Sequence, residues 1–296
     1  MADEAKAVPS PPSEIDDSGD LRGYHFRQLI GKPATLIIGA ILVAAAAIAG
    51  AVLAGPAIGA AGAAGAVLLV LLVVFFIAAS KSEEAFFDLY ATKRSLERTA
   101  SGKLSKATPL LRKGDERKAQ QIMRGQLAED VSGTLALYTY TDVYHDKNGR
   151  HENNYNFTVA ITKIPAVAQL APEIICNRKF GFRAFEKVED AFRGNERVKL
   201  ESIDLDDRFE IFVDEKQNPN WIRQLFSPSF IVWLCEETPK NFAFELVDGV
   251  LVCNIKGHKK NAAELDAMCE AMAGVARRLR DEAAEETGLT GRPAPA

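Results

Sequence analysis

The sequence predicts an α+β protein: an N-terminal two-helix transmembrane hairpin, then a soluble domain with antiparallel β-hairpins and a long C-terminal amphipathic helix. Three observations carry this. Ala34 to Ala79 holds no charged residue and a single hydroxyl, Thr35. An Asn148-Gly149 pair separates two runs rich in β-branched and aromatic residues. Apolar residues recur every three or four positions between Asn261 and Glu286.

Residues 1–30 read as a flexible acidic tail. Pro9, Ser10, Pro11 and Pro12 follow one another, and six acids occur in the first twenty residues. Such composition buries too little apolar surface to offset chain entropy.

Residues 31–80 form the membrane segment. A single helix over the 46 uncharged residues would rise about 70 Å. A hydrocarbon core is roughly 30 Å thick, so the run must break. Gly55-Pro56 is the natural point, since proline lacks a donor and glycine accepts turn geometry. The spans are then about 34–54 and 57–79, joined by a very short connection. Gly55 with Gly59, and Gly62 with Ala66, are small-xxx-small pairs that allow close backbone approach in lipid. No ionisable group lies inside either span, so they read as an anchor rather than an ion path.

Arg22, Arg27 and Lys32 precede the spans, and Lys81, Lys93, Arg94 and Arg98 follow them. The positive-inside rule places both termini in the cytoplasm. The four trailing cations are candidates for contact with anionic lipid at the membrane surface.

Residues 81–130 read as a juxtamembrane helical linker. Ser82 to Arg98 continues the second span, Pro109 to Gly114 bears a turn, and Asp115 to Gly125 reads as a short helix. Across 81–118, ten Lys or Arg face six acids.

The soluble domain is expected over 131–287, with a flexible tail over 288–296. Thr134–Tyr144 and Asn154–Ile164 are hairpin strands around the Asn-Gly turn. A loop or short helix lies between Pro165 and Pro172. Ile174–Cys176, Val198–Ile203 and Arg208–Val213 are strand candidates. Ala184–Phe192 reads as a helix. Ser227-Pro228 opens another, running to Glu236, with the serine as cap and proline at the first position. Asp248-Gly249 marks a second hairpin between Asn241–Leu246 and Val250–Ile255. In the last helix Leu265, Met268, Cys269, Met272, Val275, Ala276 and Leu279 share one face.

No phosphate-binding loop, dinucleotide fingerprint, HExxH or GxSxG motif occurs, and no cofactor is called for. Lys256, Gly257, His258 and Lys259 are basic and glycine-bearing, a candidate anion site just before the last helix. His145 and His151 flank the Asn-Gly turn near Asp142, Asp146 and Glu152, but a metal needs several converging ligands. Asp204, Asp206 and Asp207 lack the bend glycine of a calcium loop. Cys176, Cys235, Cys253 and Cys269 follow no CxxC spacing and read as buried thiols of a reducing compartment. Trp221, Phe226, Phe230 and Trp233 read as packing residues, with a recognition groove as the alternative. The net charge of −4 gives no overall cationic footprint for nucleic acid.

Phe86-Phe87-Asp-Leu-Tyr90, Thr108-Pro-Leu-Leu-Arg-Lys-Gly-Asp115, the Leu-Tyr-Thr-Tyr strand, Arg208–Val213 and Trp221–Phe230 together resemble an uncharacterised bacterial membrane-protein family, a domain of unknown function behind an N-terminal transmembrane hairpin. The resemblance implies a bacterial inner membrane and a cytoplasmic domain, and supplies no catalytic residue. The leading functional expectation is a membrane-anchored cytoplasmic structural or protein-interaction module. Its partners would be the lipid bilayer and a protein or second copy. The alternatives are a membrane-tethered sensor of a small anion or lipid headgroup, and an uncharacterised enzyme.

Overall fold

The computed structural model describes residues 17–30, 32–54, 56–147, 149–179, 195–286 and 288. The chain divides into two compact units. One comprises the residues up to Tyr90 with Lys260–Ala262, the other Ala91–Lys259 with the residues from Ala263 onward.

The first unit is helical. α1 runs Ser18–Ile30, where a flexible tail was expected. Asp17 supplies the reason: its Oδ1 accepts from the Gly19 amide at 2.8 Å, pairing one of the free donors at the helix start. Leu21 is buried on this helix. Residues 1–16 of the expected tail lie outside the described residues. α2 runs Pro33–Ala54 and α3 runs Pro56–Lys93, so both begin with a proline at the first helical position, where its missing donor is harmless.

Of the two spans expected, the described residues hold one helix long and apolar enough to cross a membrane, Ala60–Lys93. α2 carries no charged residue over its 22 residues, and within it Ile37–Ala49 forms a shorter apolar stretch among the described residues. α2 and α3 touch at their small residues. A Cβ built on Gly62 would lie 3.1 Å from the Ala46 carbonyl, and one on Gly39 would lie 3.3 Å from Val70.

The second unit is a sheet with helices. Its nine strands among the described residues are ordered β1-β2-β3-β4-β9-β8-β5-β7-β6. They are β1 Glu97–Gly102, β2 Glu116–Ala128, β3 Val131–Asp146, β4 Gly149–Lys163, β5 Glu173–Arg178, β6 Asn195–Val198, β7 Phe209–Asp214, β8 Phe242–Val247 and β9 Val250–Lys256. Every neighbouring pair is antiparallel. The short helices are α4 Pro109–Arg112, α5 Ile203–Arg208, α6 Pro219–Leu225 and α7 Pro228–Glu236, with a 3-10 turn at Pro165–Val167. α8, Ala262–Glu286, is the long C-terminal helix.

Both expected hairpins are present. β3 and β4 pair from Thr134↔Ile161 to Asp146↔Gly149. β8 and β9 turn through Asp248 (φ 48) and Gly249 (φ 73), the left-handed pair that a two-residue hairpin loop demands.

Two expectations fail here. Residues 81–130 are not a helical linker, because β1 and β2 lie within them, and Asp115–Gly125 is strand rather than helix. β2 buries Ala119, Ile122, Met123, Leu127 and Ala128, and this packing outweighs its helix-favouring composition. The strand expected at Val198–Ile203 is displaced: β6 ends at Val198 and α5 begins at Ile203. Ser202 caps α5 by accepting from the Leu205 amide. The helix expected over 184–192 lies outside the described residues, as does the final tail apart from Gly288.

The sheet buries apolar residues on both faces. Ala136, Tyr138, Val159 and Val252 form one core cluster with Leu110 and Leu111 of α4. Leu135, Leu137, Ala160 and Cys253 alternate with these and are buried too. The cluster contains no residue of α8, whose stripe from Leu265 to Leu279 is buried as its periodicity predicts. Trp233 of α7 meets α8 so closely that a Cβ on Gly274 would lie 2.4 Å from its ring.

Candidate functional site

The site is built on α4, four residues long and far too short to hold itself together. Three side chains of the sheet unit pin it. Glu245 of β8, buried at 4% exposure, accepts from the Leu110 amide at 2.9 and 3.3 Å. The Tyr138 hydroxyl of β3 donates to the Leu110 carbonyl at 3.3 Å. Arg117 of β2 donates through Nη1 to the carbonyls of Arg112 at 2.6 Å and Gly114 at 2.5 Å, closing the far end. Gly114 itself has φ 79, and the Asp115 amide donates to the Thr141 carbonyl.

Burial pushes the Glu245 carboxyl above the usual carboxylate range, against the Leu110 hydrogen bond and the Lys113 cation, which act the other way. Burial likewise pushes the Tyr138 phenol up to about 12, opposed by Arg117.

Beside this pinned segment lies a cavity of about 240 Å³, lined by Gly102, Lys103, Leu104, Lys106, Leu111, Arg117, Lys118, Ala119 and Tyr138. Three chain segments meet there. The loop after β1 brings Lys103, Leu104 and Lys106, and α4 brings Leu111. The paired strands bring the rest through the register Gly102↔Ala119 and Ala119↔Tyr138. Its character is divided. Leu111, Ala119 and Tyr138 belong to the core cluster, and Leu104 packs against it, so the floor is apolar. Lys103, Lys106, Arg117 and Lys118 are exposed, and none of the nine lining residues is acidic. Such a cavity can accept a negatively charged group while shielding an attached apolar part from water.

The residues singled out from sequence fall elsewhere. The Lys256–Lys259 loop is spent on internal bonds. The Gly257 amide donates to the Asn156 carbonyl, and the Lys259 amide donates to the Thr158 hydroxyl at 2.8 Å. His258 Nε2 lies 3.1 Å from the Thr139 hydroxyl, and Lys259 Nζ pairs with Glu264 at 2.6 Å. Of the four cations placed at the membrane surface, Lys81 and Lys93 are exposed. Arg94 instead donates to Asp266 at 2.8 Å and to the Leu127 carbonyl. Arg98 donates to Gln121.

Among the small residues, Gly62 is the one seen against the neighbouring helix backbone, and Ala66 is half-buried. Gly55 lies outside the described residues, and only the helical backbone of Gly59 is described.

The hairpin histidines do not converge. His151 faces Tyr144, and His145 faces Arg150, which puts them on opposite sides of the ribbon. His151 Nε2 sits 2.9 Å from Asp146. No cluster of three or more His, Cys, Asp or Glu side chains suited to a metal occurs among the described residues. The four cysteines are buried, and burial pushes the thiols of Cys176 and Cys253 well up. Trp221, Phe226 and Phe230 are buried, so the aromatic group is packing rather than an open groove.

Sequence reasoning missed the cavity. The available signal was the excess of positive charge over residues 81–118, which marks the stretch but not the convergence.

No protein-family model and no curated protein matches the chain. Among solved structures, the crystal structure of the mycobacterial trehalose monomycolate transport factor A, TtfA, is similar at 10% sequence identity and a TM-score of 0.42, over 72% of this chain and 98% of that one. At that level the match says nothing about what this chain does.

Proposed function

We propose that the protein is a membrane-anchored interaction module, with its sheet unit on the cytoplasmic face of a bacterial inner membrane. The observation that carries this is α3. It runs without interruption for 38 residues, from a long uncharged stretch into a shorter charged one that starts at Lys81. Leu68, Leu69, Leu72 and Phe76 on it are exposed, a state that hydrocarbon favours and water opposes.

On this reading α2 and α3 together make a hairpin of two spans, a reading their mutual contacts support. Gly62 meets Ala46 and Gly39 meets Val70, so advancing along one helix means retreating along the other. Two antiparallel spans leave both ends on one side, and the flanking cations make that side the cytoplasm. The partners on this reading are the bilayer and a protein or second copy of the chain.

Two measurements test it. The protein should stay with membranes washed in alkaline carbonate, and reporters fused to either end should both report the cytoplasm. Release by carbonate removes the anchor. A reporter outside removes the hairpin. Purification from native membrane in mild detergent should bring down a stoichiometric partner; a monomer with nothing attached removes the interaction role.

A further inference from the structure

We infer that the cavity between the β1 loop, α4 and β2 is a binding site for a phosphate monoester carried on a short apolar stem. This deepens the interaction-module reading and rests on it, but draws on nothing in the membrane anchor.

The charge comes first. Lys103, Lys106 and Arg117 bring their charge to one cavity whose lining holds no acid, while Lys118, next to Arg117 in β2, alternates to the other face of the strand. Like charges gathered at one place repel, and a dianion relieves that repulsion better than a single carboxylate does. Arg117 is already fixed by its bonds to the Arg112 and Gly114 carbonyls, so it brings charge from a rigid position. Lys103 and Lys106 are exposed side chains of the loop, long enough to fold over an entering head group. Lysine serves phosphate well as a point charge.

The floor comes second. Leu104, Leu111, Ala119 and Tyr138 continue the hydrophobic core of the sheet. An inorganic anion would leave this surface wet, whereas a few methylene groups would cover it. Each buried methylene contributes about 0.8 kcal/mol. At about 240 Å³ the cavity falls below the roughly 300–1,000 Å³ usual for sites that enclose a whole drug-sized ligand. It fits a head and the start of a stem.

The walls come third. Glu245, Tyr138 and Arg117 tie α4 at both ends. The cavity is therefore held open by bonds within the protein, two of them made by its own lining residues Tyr138 and Arg117, and its shape does not depend on an occupant.

The experiment uses the full chain in a neutral maltoside detergent. Calorimetric titration with hexyl phosphate should saturate at one site. Hexanol and inorganic phosphate should each bind about tenfold more weakly, since each lacks one half of the recognition. A Lys103→Ala, Lys106→Ala double variant should lose about tenfold in affinity, while Lys147→Ala at the exposed hairpin tip should bind as the parent does. Both lysines of the double variant are exposed, so folding is not at stake, and an unchanged circular dichroism spectrum checks this.

Equal binding by the double variant removes the site. Equal binding of inorganic phosphate removes the stem. Competition against hexyl phosphate by phosphatidic acid in phosphatidylcholine nanodiscs makes a bilayer lipid the source; binding without that competition makes it a soluble phosphoester, and either result supports the site. No binding of hexyl phosphate by the parent protein, with carbonate resistance present, counts against the cavity alone. The reverse counts against the anchor alone.

Discussion

Arg98 grips the side-chain oxygen of Gln121 with two nitrogens, at 2.9 Å from Nε and 2.6 Å from Nη2. Gln121 is also the residue of β2 whose backbone turns left-handed, at φ 50, where the register with β3 slips between Gln120 and Met123. A non-glycine residue in that conformation persists where its surroundings over-determine it. The guanidinium from β1 is one such surrounding group, and it holds the bulge in place.

Arg98→Ala therefore acts on the sheet. We expect a loss of about 1–2 kcal/mol in urea denaturation, with membrane attachment unchanged. A variant of parental stability that leaves the membrane would return Arg98 to the lipid surface.

Glu245 gives stability a pH dependence. Burial raises its carboxyl in the folded chain, so the folded state holds the proton more tightly than the unfolded state. The resulting contribution is complete below the ordinary carboxylate range and is lost as pH rises through the folded value. Glu245→Gln still accepts from the Leu110 amide but carries no charge. It should match or exceed the parent in melting temperature at pH 8 and flatten the decline from pH 4.5 upward. Glu245→Ala strands that amide and should lose about 1–3 kcal/mol. A Gln variant clearly weaker than the parent at pH 8 would contradict this account.

Asp130 has the opposite sign. Its hydrogen bond to Arg277 holds the carboxyl below the usual range, and Arg280 joins it at 2.6 Å. This contribution is present above the unfolded value and disappears as pH falls through the folded one. Asp130→Asn should lower the melting temperature slightly at neutral pH and low salt. The difference should shrink in concentrated sodium chloride and below pH 3. A difference insensitive to both would mean that packing, not charge, joins the β2–β3 turn to α8.

Gly274 leaves room for an indole. A Cβ there would overlap the Trp233 ring at 2.4 Å, so Gly274→Ala must displace it. We expect a loss of about 1–3 kcal/mol from overpacking, measured by thermal melting with tryptophan fluorescence as the probe. Adding Trp233→Leu to the alanine variant should recover part of it. No loss from Gly274→Ala would show that the ring moves freely.

The parts of the fold legible in sequence are those decided by neighbours along the chain. Asp248-Gly249 declares a hairpin by itself, and the residues from Leu265 to Leu279 declare a helix by spacing. The cavity obeys no such rule. Arg117 approaches Lys103 only because β2 is a strand beside β1, and Glu116-Arg-Lys-Ala-Gln-Gln has the composition of a helix. A helical reading of β2 leaves no argument from sequence that brings Arg117 to Lys103 and Lys106. Glu245 was equally invisible, because its partner is a backbone amide 135 positions away.

The order of strands has a consequence during synthesis. β4 is followed in space by β9, which leaves the ribosome long after it. Until then the newly made meander presents an open edge whose residues Val159 and Ala160 end up fully enclosed. Exposed edges of this kind attract other chains. Nascent chains stalled before Val250 should need a chaperone, and those extended past Lys256 should need it less.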